Sequence, residues 1–152
     1  MKLKKFFFKK VKSTNNTAMR LIRSGIKNGV ISSEIQTKGK GQRGNNWISK
    51  KGNLFLTIFF QVDNNLSLKK ITNINLHIIK KIIKNLVKAK IYIKLPNDIL
   101  INKKKVCGIL QEIIFRNNLK YLIVGIGINL INSPEFKNYP TTYLNKYSKK
   151  KN

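Results

Sequence analysis

The stretch QTKGKGQRGNNW, residues 36–47, holds three glycines, two lysines, one arginine and the only tryptophan of the chain. Glycine lets the backbone pass close to a ligand, and free backbone N–H groups together with Lys40 and Arg43 attract anions. This glycine loop therefore predicts a site for a phosphate or a carboxylate. The alternative is a mobile basic hairpin on the surface, but the tryptophan and the strand-like segments on both sides argue against it.

The spacing Gly39-x-Gly41-x-x-Gly44 also fits the dinucleotide-binding fingerprint. That fingerprint requires a helix that opens directly after the loop. Here the chain continues as NNWISKKGNLFLTIFFQV, residues 45–62, which is a polar turn followed by an apolar run typical of a β-strand. The missing helix argues against a Rossmann domain.

Length and composition indicate one globular domain. The chain has 152 residues, of which 41% are hydrophobic, enough to bury a sizeable core. No apolar run reaches the roughly 18 residues needed to span a bilayer, and the apolar run near the N-terminus is too short for a signal peptide. The single cysteine, Cys107, cannot form an internal disulfide, which fits a reducing compartment. We therefore expect a cytoplasmic protein without a membrane partner.

The charge of +27, with only five acidic residues, first suggests a nucleic-acid binder. The lysines, however, are spread along the whole chain instead of forming one stripe. Lys, Asn and Ile all have A/T-rich codons, so mutational bias in the genome would produce the same composition. We therefore expect no specific DNA partner, and nucleic-acid binding would be favoured only if the charge were clustered.

The first half of the chain alternates strand and helix signals. Residues 4–11 predict a strand, and the capping cluster Ser13–Asn16 precedes a helix that Gly29 would close. That helix shares one apolar face made by Ala18, Leu21, Ile22 and Ile26. Residues 30–37 and 53–62 predict the strands that flank the glycine loop. A second helix, capped by Ser67, runs to about Ala89, and its predicted buried stripe is Leu68, Ile71, Ile74, Ile78, Ile82 and Leu86.

The second half predicts short strands at residues 91–95, 99–101, 105–115 and 121–130, with turn residues between them, and the last three suit an antiparallel meander. We expect Cys107 to pack in the core. His77 lacks a second metal ligand at helical spacing, so we interpret it as an ordinary helix residue. From residue 132 onward we expect partial order at most.

Five motifs carry a resemblance to a known family. They are KSTN at 12–15, the glycine loop at 36–47, KLPND at 94–98, KVCGILQE at 105–112 and GIGIN at 125–129. In this order they resemble the catalytic domain of biotin–protein ligases over about residues 10–144. The resemblance implies an α+β fold, with a mixed, mostly antiparallel sheet backed by helices, as in class II synthetase-like ligases. It implies a catalytic domain at 1–144 and a basic tail at 145–152.

The resemblance also implies an activity. Biotin and ATP would form biotinyl-5′-AMP with Mg²⁺ as cofactor, and the biotinyl group would pass to a lysine of a biotin carboxyl carrier protein, an acetyl-CoA carboxylase subunit. A homodimer is compatible with the resemblance, and the sequence does not decide the oligomeric state. One alternative is a lipoate or octanoate transferase of the related fold. Another is a decayed, non-catalytic remnant that only binds.

Site residues follow from matching the motifs position by position. The resemblance assigns catalysis to Lys105, Lys40, Arg43 and Asp98. It assigns biotin binding to Ser13, Thr14, Asn15, Gln36, Gly39, Lys40, Gly41, Gln42 and Lys105. It assigns nucleotide binding to Arg43, Trp47, Asn97, Gly108 and Asn129, and assigns no residue to a metal.

Some assignments keep alternatives. Lys105 would bridge the carboxylate and the phosphate, yet it could be a solvated turn lysine beside Lys103 and Lys104. Asp98 would orient or deprotonate the acceptor lysine, yet it could equally cap the following strand. Glu112 is interpreted as a structural or metal-neighbouring group rather than a base.

The chain departs from the family pattern in several places. Leu95 replaces a tryptophan before the Pro-Asn-Asp, and Lys40, Gln42 and Asn45 stand where the family usually has arginines. After TTYL at 141–144 the family normally adds helices and a small β-barrel domain. No helix-turn-helix domain precedes the first strand, so we expect no repressor function.

Overall fold

Seven segments of the chain pair through backbone hydrogen bonds into one sheet. A computed structural model describes residues 2–149. In chain order the elements are β1 Lys4–Val11, α1 Thr14–Arg23, β2 Asn28–Gln36, β3 Leu54–Val62, α2 Leu68–Leu86, β4 Ile91–Lys94, β5 Asp98–Ile101, β6 Lys104–Arg116 and β7 Leu119–Ile128. Short 3₁₀ turns lie at Gln42–Gly44 and Leu144–Tyr147.

The strand order is β1-β2-β3-β7-β6-β5-β4. Only β1 and β2 pair in parallel, and every other neighbouring pair is antiparallel. The predicted mixed, mostly antiparallel sheet is therefore confirmed. Two-residue turns join β5 to β6 and β6 to β7, and all four turn residues have positive φ, as a type I′ hairpin requires. These residues are Asn102, Lys103, Asn117 and Asn118.

The two helices cover opposite faces of the sheet. Side chains of α1 pack against Tyr121 and Ile123 of β7, whereas α2 packs in the cluster that holds Leu122 and Val124 of the same strand. Successive residues of a strand point to opposite faces, so the two clusters form two separate cores. The face under α1 also carries the glycine loop and the candidate site.

Helix α1 begins as predicted and ends earlier. Ser13 is its N-cap, and the Ser13 hydroxyl accepts a hydrogen bond from the backbone N–H of Asn16 at 3.4 Å. The helix stops at Arg23, two residues before Gly25, which has φ of 102° and so takes the left-handed conformation typical of a helix end. The prediction that Gly29 closes the helix is wrong, because Gly29 lies in β2.

Helix α2 buries a different face from the one predicted. Its buried residues are Leu76, Ile79 and Ile83. Most of the predicted stripe is exposed: Ile74 by 57%, Ile78 by 52% and Ile82 by 55%. Leu68 and Leu86 are also exposed, while Ile71 packs partly against the core. Within residues 2–149 neither helix is long and apolar enough to cross a membrane.

The segment after β7 is ordered against the rest of the chain, contrary to the prediction. Leu144 is buried, and its backbone N–H donates to the carbonyl of Asn129 at 2.9 Å. Farther on, Tyr147 accepts a hydrogen bond from the N–H of Lys88 at 2.8 Å. Residues 145–149 of the predicted tail therefore lie against the end of α2, and residues 150–152 lie outside the described range.

Candidate functional site

The glycine loop folds back on itself as a short hairpin. The N–H of Gly41 donates to the carbonyl of Asn45 at 2.7 Å, and the N–H of Trp47 donates to the carbonyl of Gly39 at 2.9 Å. At its tip, Arg43 and Gly44 have φ of 55° and 77°. A left-handed conformation is unfavourable for arginine, so the hairpin closure determines the backbone here.

The Trp47 ring lies flat against the sheet at two glycines, which have no side chains to obstruct it. Gly108 of β6 and Gly127 of β7 pair directly across the sheet. A Cβ atom added at Gly108 would lie 2.8 Å from the Trp47 ring, and one added at Gly127 would lie 2.6 Å from it. Both positions therefore require glycine if the indole is to rest on the sheet. The indole Nε1 is buried and has no hydrogen-bond partner within residues 2–149, so a ligand acceptor there would relieve a costly unpaired donor.

Between the loop and the sheet lies a cleft of about 480 Å³, a volume typical of a small-ligand site. It brings together most of the residues predicted from the motifs. These are Ser13, Thr14, Asn15, Gln36, Lys40, Gly41, Gln42, Arg43, Trp47, Asn97, Asp98, Lys105 and Gly108.

Two predicted residues do not line this cleft. Gly39 is buried inside the loop hairpin, where the Ser49 hydroxyl lies 2.9 Å from the place of a Cβ atom. Asn129 is buried, and its Nδ2 donates to the carbonyl of Thr142 at 3.1 Å. In this structure Asn129 anchors the segment after β7.

One end of the cleft is neutral and rich in hydrogen-bonding groups. The backbone N–H and the hydroxyl of Thr14 both donate to Oε1 of Gln36, at 2.8 and 3.0 Å. Next to them, Asn15 Nδ2 donates to Glu112 Oε2 at 2.9 Å, and the Thr57 hydroxyl donates to Asn15 Oδ1 at 2.7 Å. Thr14, Asn15 and Thr57 are each at most 4% exposed. This end suits a ligand that both donates and accepts hydrogen bonds.

The other end is cationic. Lys105 Nζ lies 2.9 Å from Asp98 Oδ1, and it also lies 5.3 Å from the centre of the Trp47 ring and 5.6 Å from that of Tyr139. Its backbone N–H donates to the carbonyl of Pro140 at 2.9 Å. The Lys105 side chain is 20% exposed, which contradicts the solvated-turn interpretation. Burial raises the pKa of Tyr139, and the Asp98 charge adds to the shift.

Asp98 lies where the turn at 95–97 meets β5, and its carboxylate faces the cleft. It is the first residue of β5 and pairs across the sheet with Gly108 of β6. Its carboxylate points to Lys105, and both side chains are about one-fifth exposed, 19% and 20%. The pair holds the lysine at the cationic end of the cleft.

Sequence reasoning missed one wall of the cleft. Asn138, Tyr139 and Pro140 line it from the segment that was expected to be poorly ordered. Phe136 and Tyr139, two aromatic residues close together in that segment, are the sequence signal for this wall, because aromatic residues are unusual in a disordered tail. In the structure their rings stack with centres 4.6 Å apart. Thr57 was missed as well, although it is a polar residue in the middle of an apolar strand and faces α1.

Cys107 and His77, two residues outside the cleft, have the surroundings that the sequence predicted. Cys107 is fully buried, as predicted, and burial, reinforced by the Asp98 charge, raises the pKa of its thiol. His77 is exposed, and its Nδ1 lies 2.8 Å from the carbonyl of Asn73 in its own helix. Within residues 2–149 no group of three or more His, Cys, Asp or Glu side chains could hold a metal ion.

Comparison with known proteins gives a consistent result. The model of the Biotin/lipoate A/B protein ligase family matches residues 7–129. The bifunctional ligase/repressor BirA of Bacillus subtilis is 32% identical over 128 residues, which is 80% of this chain and 39% of BirA.

Solved structures agree with the family match. Biotin protein ligase from Leishmania major in complex with biotin superposes with a TM-score of 0.79 at 28% identity, covering 96% of this chain and 64% of that chain. Its complex with biotinyl-5-AMP gives a TM-score of 0.77 at 28% identity, covering 96% and 65%. The Aquifex aeolicus enzyme with biotin and ATP gives 0.78 at 27% identity, covering 94% and 60%. This chain thus spans about two-fifths of the length of BirA and under two-thirds of the length of these solved chains.

Proposed function

Because the chain belongs to the biotin/lipoate A/B protein ligase family, we propose that it is an ATP-dependent biotin–protein ligase. One observation carries the choice of substrate: a single cleft joins a neutral hydrogen-bonding end to a cationic end. An acid with a polar head at one end and a carboxylate at the other fits this arrangement. Biotin is such an acid, and ATP would then meet its carboxylate at the cationic end.

The neutral end favours biotin over lipoate within the family. Biotin's ureido ring has one carbonyl and two N–H groups, whereas the dithiolane ring of lipoate has no comparable donors. Thr14, Asn15 and Gln36 offer hydroxyl and amide groups that pair with both kinds of atom. These groups also contact one another, and an apolar ring would make no use of the hydrogen-bonding capacity that they retain beyond those contacts.

The first step joins two anions. A carboxylate oxygen of biotin forms a bond to the α-phosphorus of ATP, the bond between that phosphorus and the β-phosphate oxygen breaks, and pyrophosphate leaves. Lys105, with Lys40 and Arg43 of the glycine loop, supplies the positive charge that holds the two reactants together and stabilises the transition state. Trp47 and Asn97 line the same end, and we assign them to the nucleotide.

The second step transfers the biotinyl group. The acceptor lysine nitrogen attacks the acyl carbon, the bond from that carbon to the phosphate oxygen breaks, and AMP leaves with the electron pair. The proton of the attacking nitrogen passes to a base, for which Asp98 is our candidate because it is the carboxylate beside Lys105. We propose a biotin carboxyl carrier protein as the acceptor.

Mg²⁺ would accompany ATP rather than occupy a protein site. The described residues offer no cluster of carboxylates for it, and Asp98 and Glu112 each already face a lysine. Mg²⁺ is commonly held by substrate phosphates and water with only one or two protein ligands. It would neutralise phosphate charge, while the steps above depend on the residues of the chain.

Mass spectrometry of an acceptor tests this proposal. A biotin carboxyl carrier domain is incubated with the protein, ATP and either biotin or lipoate. We expect one added biotinyl group, no labelling without ATP, and none on an acceptor whose target lysine is replaced by arginine. Equal labelling with lipoate would favour a lipoate or octanoate transferase, and no labelling with either acid would favour a binding remnant.

A further inference from the structure

A path of polar contacts leads from one side of the glycine loop into the protein. Lys40 Nζ lies 3.4 Å from Oε1 of Glu112 on β6. The other oxygen of Glu112, Oε2, accepts a hydrogen bond from Asn15 Nδ2 at 2.9 Å. The Thr57 hydroxyl then lies within hydrogen-bond distance of Asn15 Oδ1 and of the Thr14 hydroxyl, at 2.7 and 2.8 Å.

The same path returns to the other side of the loop. Thr14 donates to Gln36 Oε1 at 3.0 Å, and Gln36 Nε2 donates to the Ser49 hydroxyl at 3.1 Å. Ser49 in turn donates to the carbonyl of Trp47 at 3.3 Å. The glycine loop is therefore tied at both sides to one polar network that includes the neutral end of the cleft.

Glu112 joins the loop to the neutral end of the cleft on the Lys40 side. Each of its two carboxylate oxygens contacts one partner, Lys40 above and Asn15 below. Its side chain is 24% exposed, so this contact is less screened by water than a fully exposed pair. Because the whole chain has only five acidic residues among 32 basic ones, a carboxylate placed under the loop stands out against the background charge.

We propose that Glu112 is a positioning residue that latches the glycine loop over the cleft through Lys40 and orients the Asn15 amide toward the ligand. It acts on binding, through the loop and the amide, without touching the reacting atoms. This inference rests on the proposed function only for the identity of the ligand. The latch itself is a property of the free protein.

The exposure of the Lys40–Glu112 ion pair determines how strongly it can favour the closed loop. Lys40 is 40% exposed, and partly exposed ion pairs contribute enough to change an open–closed equilibrium by roughly two- to fivefold. Opening of the loop should therefore rise by about that factor in Glu112→Gln, which removes the charge and keeps the size of the side chain.

Trp47 provides a direct readout because it is the only tryptophan of the chain. Quenching of its fluorescence by acrylamide, an uncharged quencher, is measured in the free protein without biotin or ATP. We expect stronger quenching in Glu112→Gln than in the wild type. Tryptic cleavage after Arg43, identified by mass spectrometry, should accelerate by roughly two- to fivefold, since cleavage tracks the population of the open form.

Glu34→Gln is the matched control. It makes the same chemical change at another ion pair, in which Lys51 Nζ lies 3.7 Å from Glu34 Oε2 at the surface. A double-mutant cycle with Lys40→Gln adds a second control, because Glu112→Gln should have little further effect on Trp47 once Lys40 is gone. Equal quenching and cleavage in the Glu112 and Glu34 variants would overturn the latch.

Two further measurements keep the outcomes separate. If Glu112→Gln fails to fold, salt titration of the wild type takes its place: added NaCl should screen the pair and increase Trp47 quenching, and no change would overturn the proposal. If biotin is activated, the Glu112 variant should raise KM for biotin by a larger factor than it lowers kcat, because Glu112 orients the biotin-binding end directly and affects the transition state only through Lys40. A protein without ligase activity whose loop still opens on Glu112→Gln would refute the proposed function and leave the latch intact.

Discussion

Lys105 combines two roles that a substitution can separate. Its side chain supplies charge to the cleft, whereas its backbone fixes the segment after β7 through hydrogen bonds with Pro140 and Thr142, both 2.9 Å long. Alanine removes the first role and preserves the second. Lys105→Ala should therefore keep the circular dichroism spectrum near that of the wild type.

The same variant should lose adenylation. Biotin-dependent pyrophosphate exchange should fall by at least roughly tenfold, which is about 1.4 kcal/mol of transition-state stabilisation. Lys104→Ala is the matched control, because Lys104 is the exposed neighbour on β6. Equal exchange rates in the two variants would remove Lys105 from the mechanism.

Gln42 is the residue at which we expect loose retention of the intermediate. It lines the cleft at a position where the resemblance predicts arginine. A hydrogen bond from a charged donor contributes about 1.5–3 kcal/mol, more than a neutral one. Gln42→Arg should slow the release of biotinyl-AMP by roughly tenfold, since about 1.4 kcal/mol corresponds to that factor. An unchanged off-rate and unchanged stray labelling of an unrelated protein would show that other groups already supply the contact that an arginine would add.

At the scale of elements, the strands were predictable and the buried face of α2 was not. Short apolar runs and the asparagine turns between them placed β4 to β7 within a few residues of their observed bounds. In α2, however, apolar residues follow helical spacing on two adjacent faces, as Ile78 and Ile79 illustrate. Periodicity alone cannot decide which face meets the sheet, because that depends on contacts with distant strands.

Neighbouring residues of α2 test this correction. Ile79 is 6% exposed and Ile78 is 52% exposed. Ile79→Ala should lower the free energy of unfolding by about 2–5 kcal/mol, the usual cost of a large-to-small change in a core. Ile78→Ala should change it by no more than about 0.5 kcal/mol, as surface substitutions do. Urea denaturation measures both, and the reverse order of stabilities would restore the predicted stripe.

For the cleft too, the sequence predicted the residues that belong to short motifs and missed those that depend on contacts between distant segments. Motifs located the glycine loop, the N-terminus of α1 and Lys105, because short-range chemistry defines these residues. The wall at Tyr139 and the contact of Thr57 with Asn15 depend on pairing between segments far apart in the chain, so composition could mark these residues as unusual but could not show what they contact.

For the whole molecule, the charge of +27 determines the specificity and salt dependence that we expect of any binding to nucleic acid. Lysines are dispersed, so any binding to DNA should follow counterion release and not sequence. Affinity for every duplex should fall by orders of magnitude between roughly 50 and 200 mM salt if several phosphates are contacted. Fluorescence anisotropy with unrelated duplexes measures this. Tight binding of one particular duplex at physiological salt would contradict it.

The central claim is that this cleft activates biotin with ATP. Exchange of labelled pyrophosphate into ATP tests it most directly, because the exchange reports the adenylation step and needs no acceptor protein. We predict exchange that requires biotin and disappears in Lys105→Ala. Exchange that is absent with biotin in the folded protein, or equally fast with lipoate, would contradict the account.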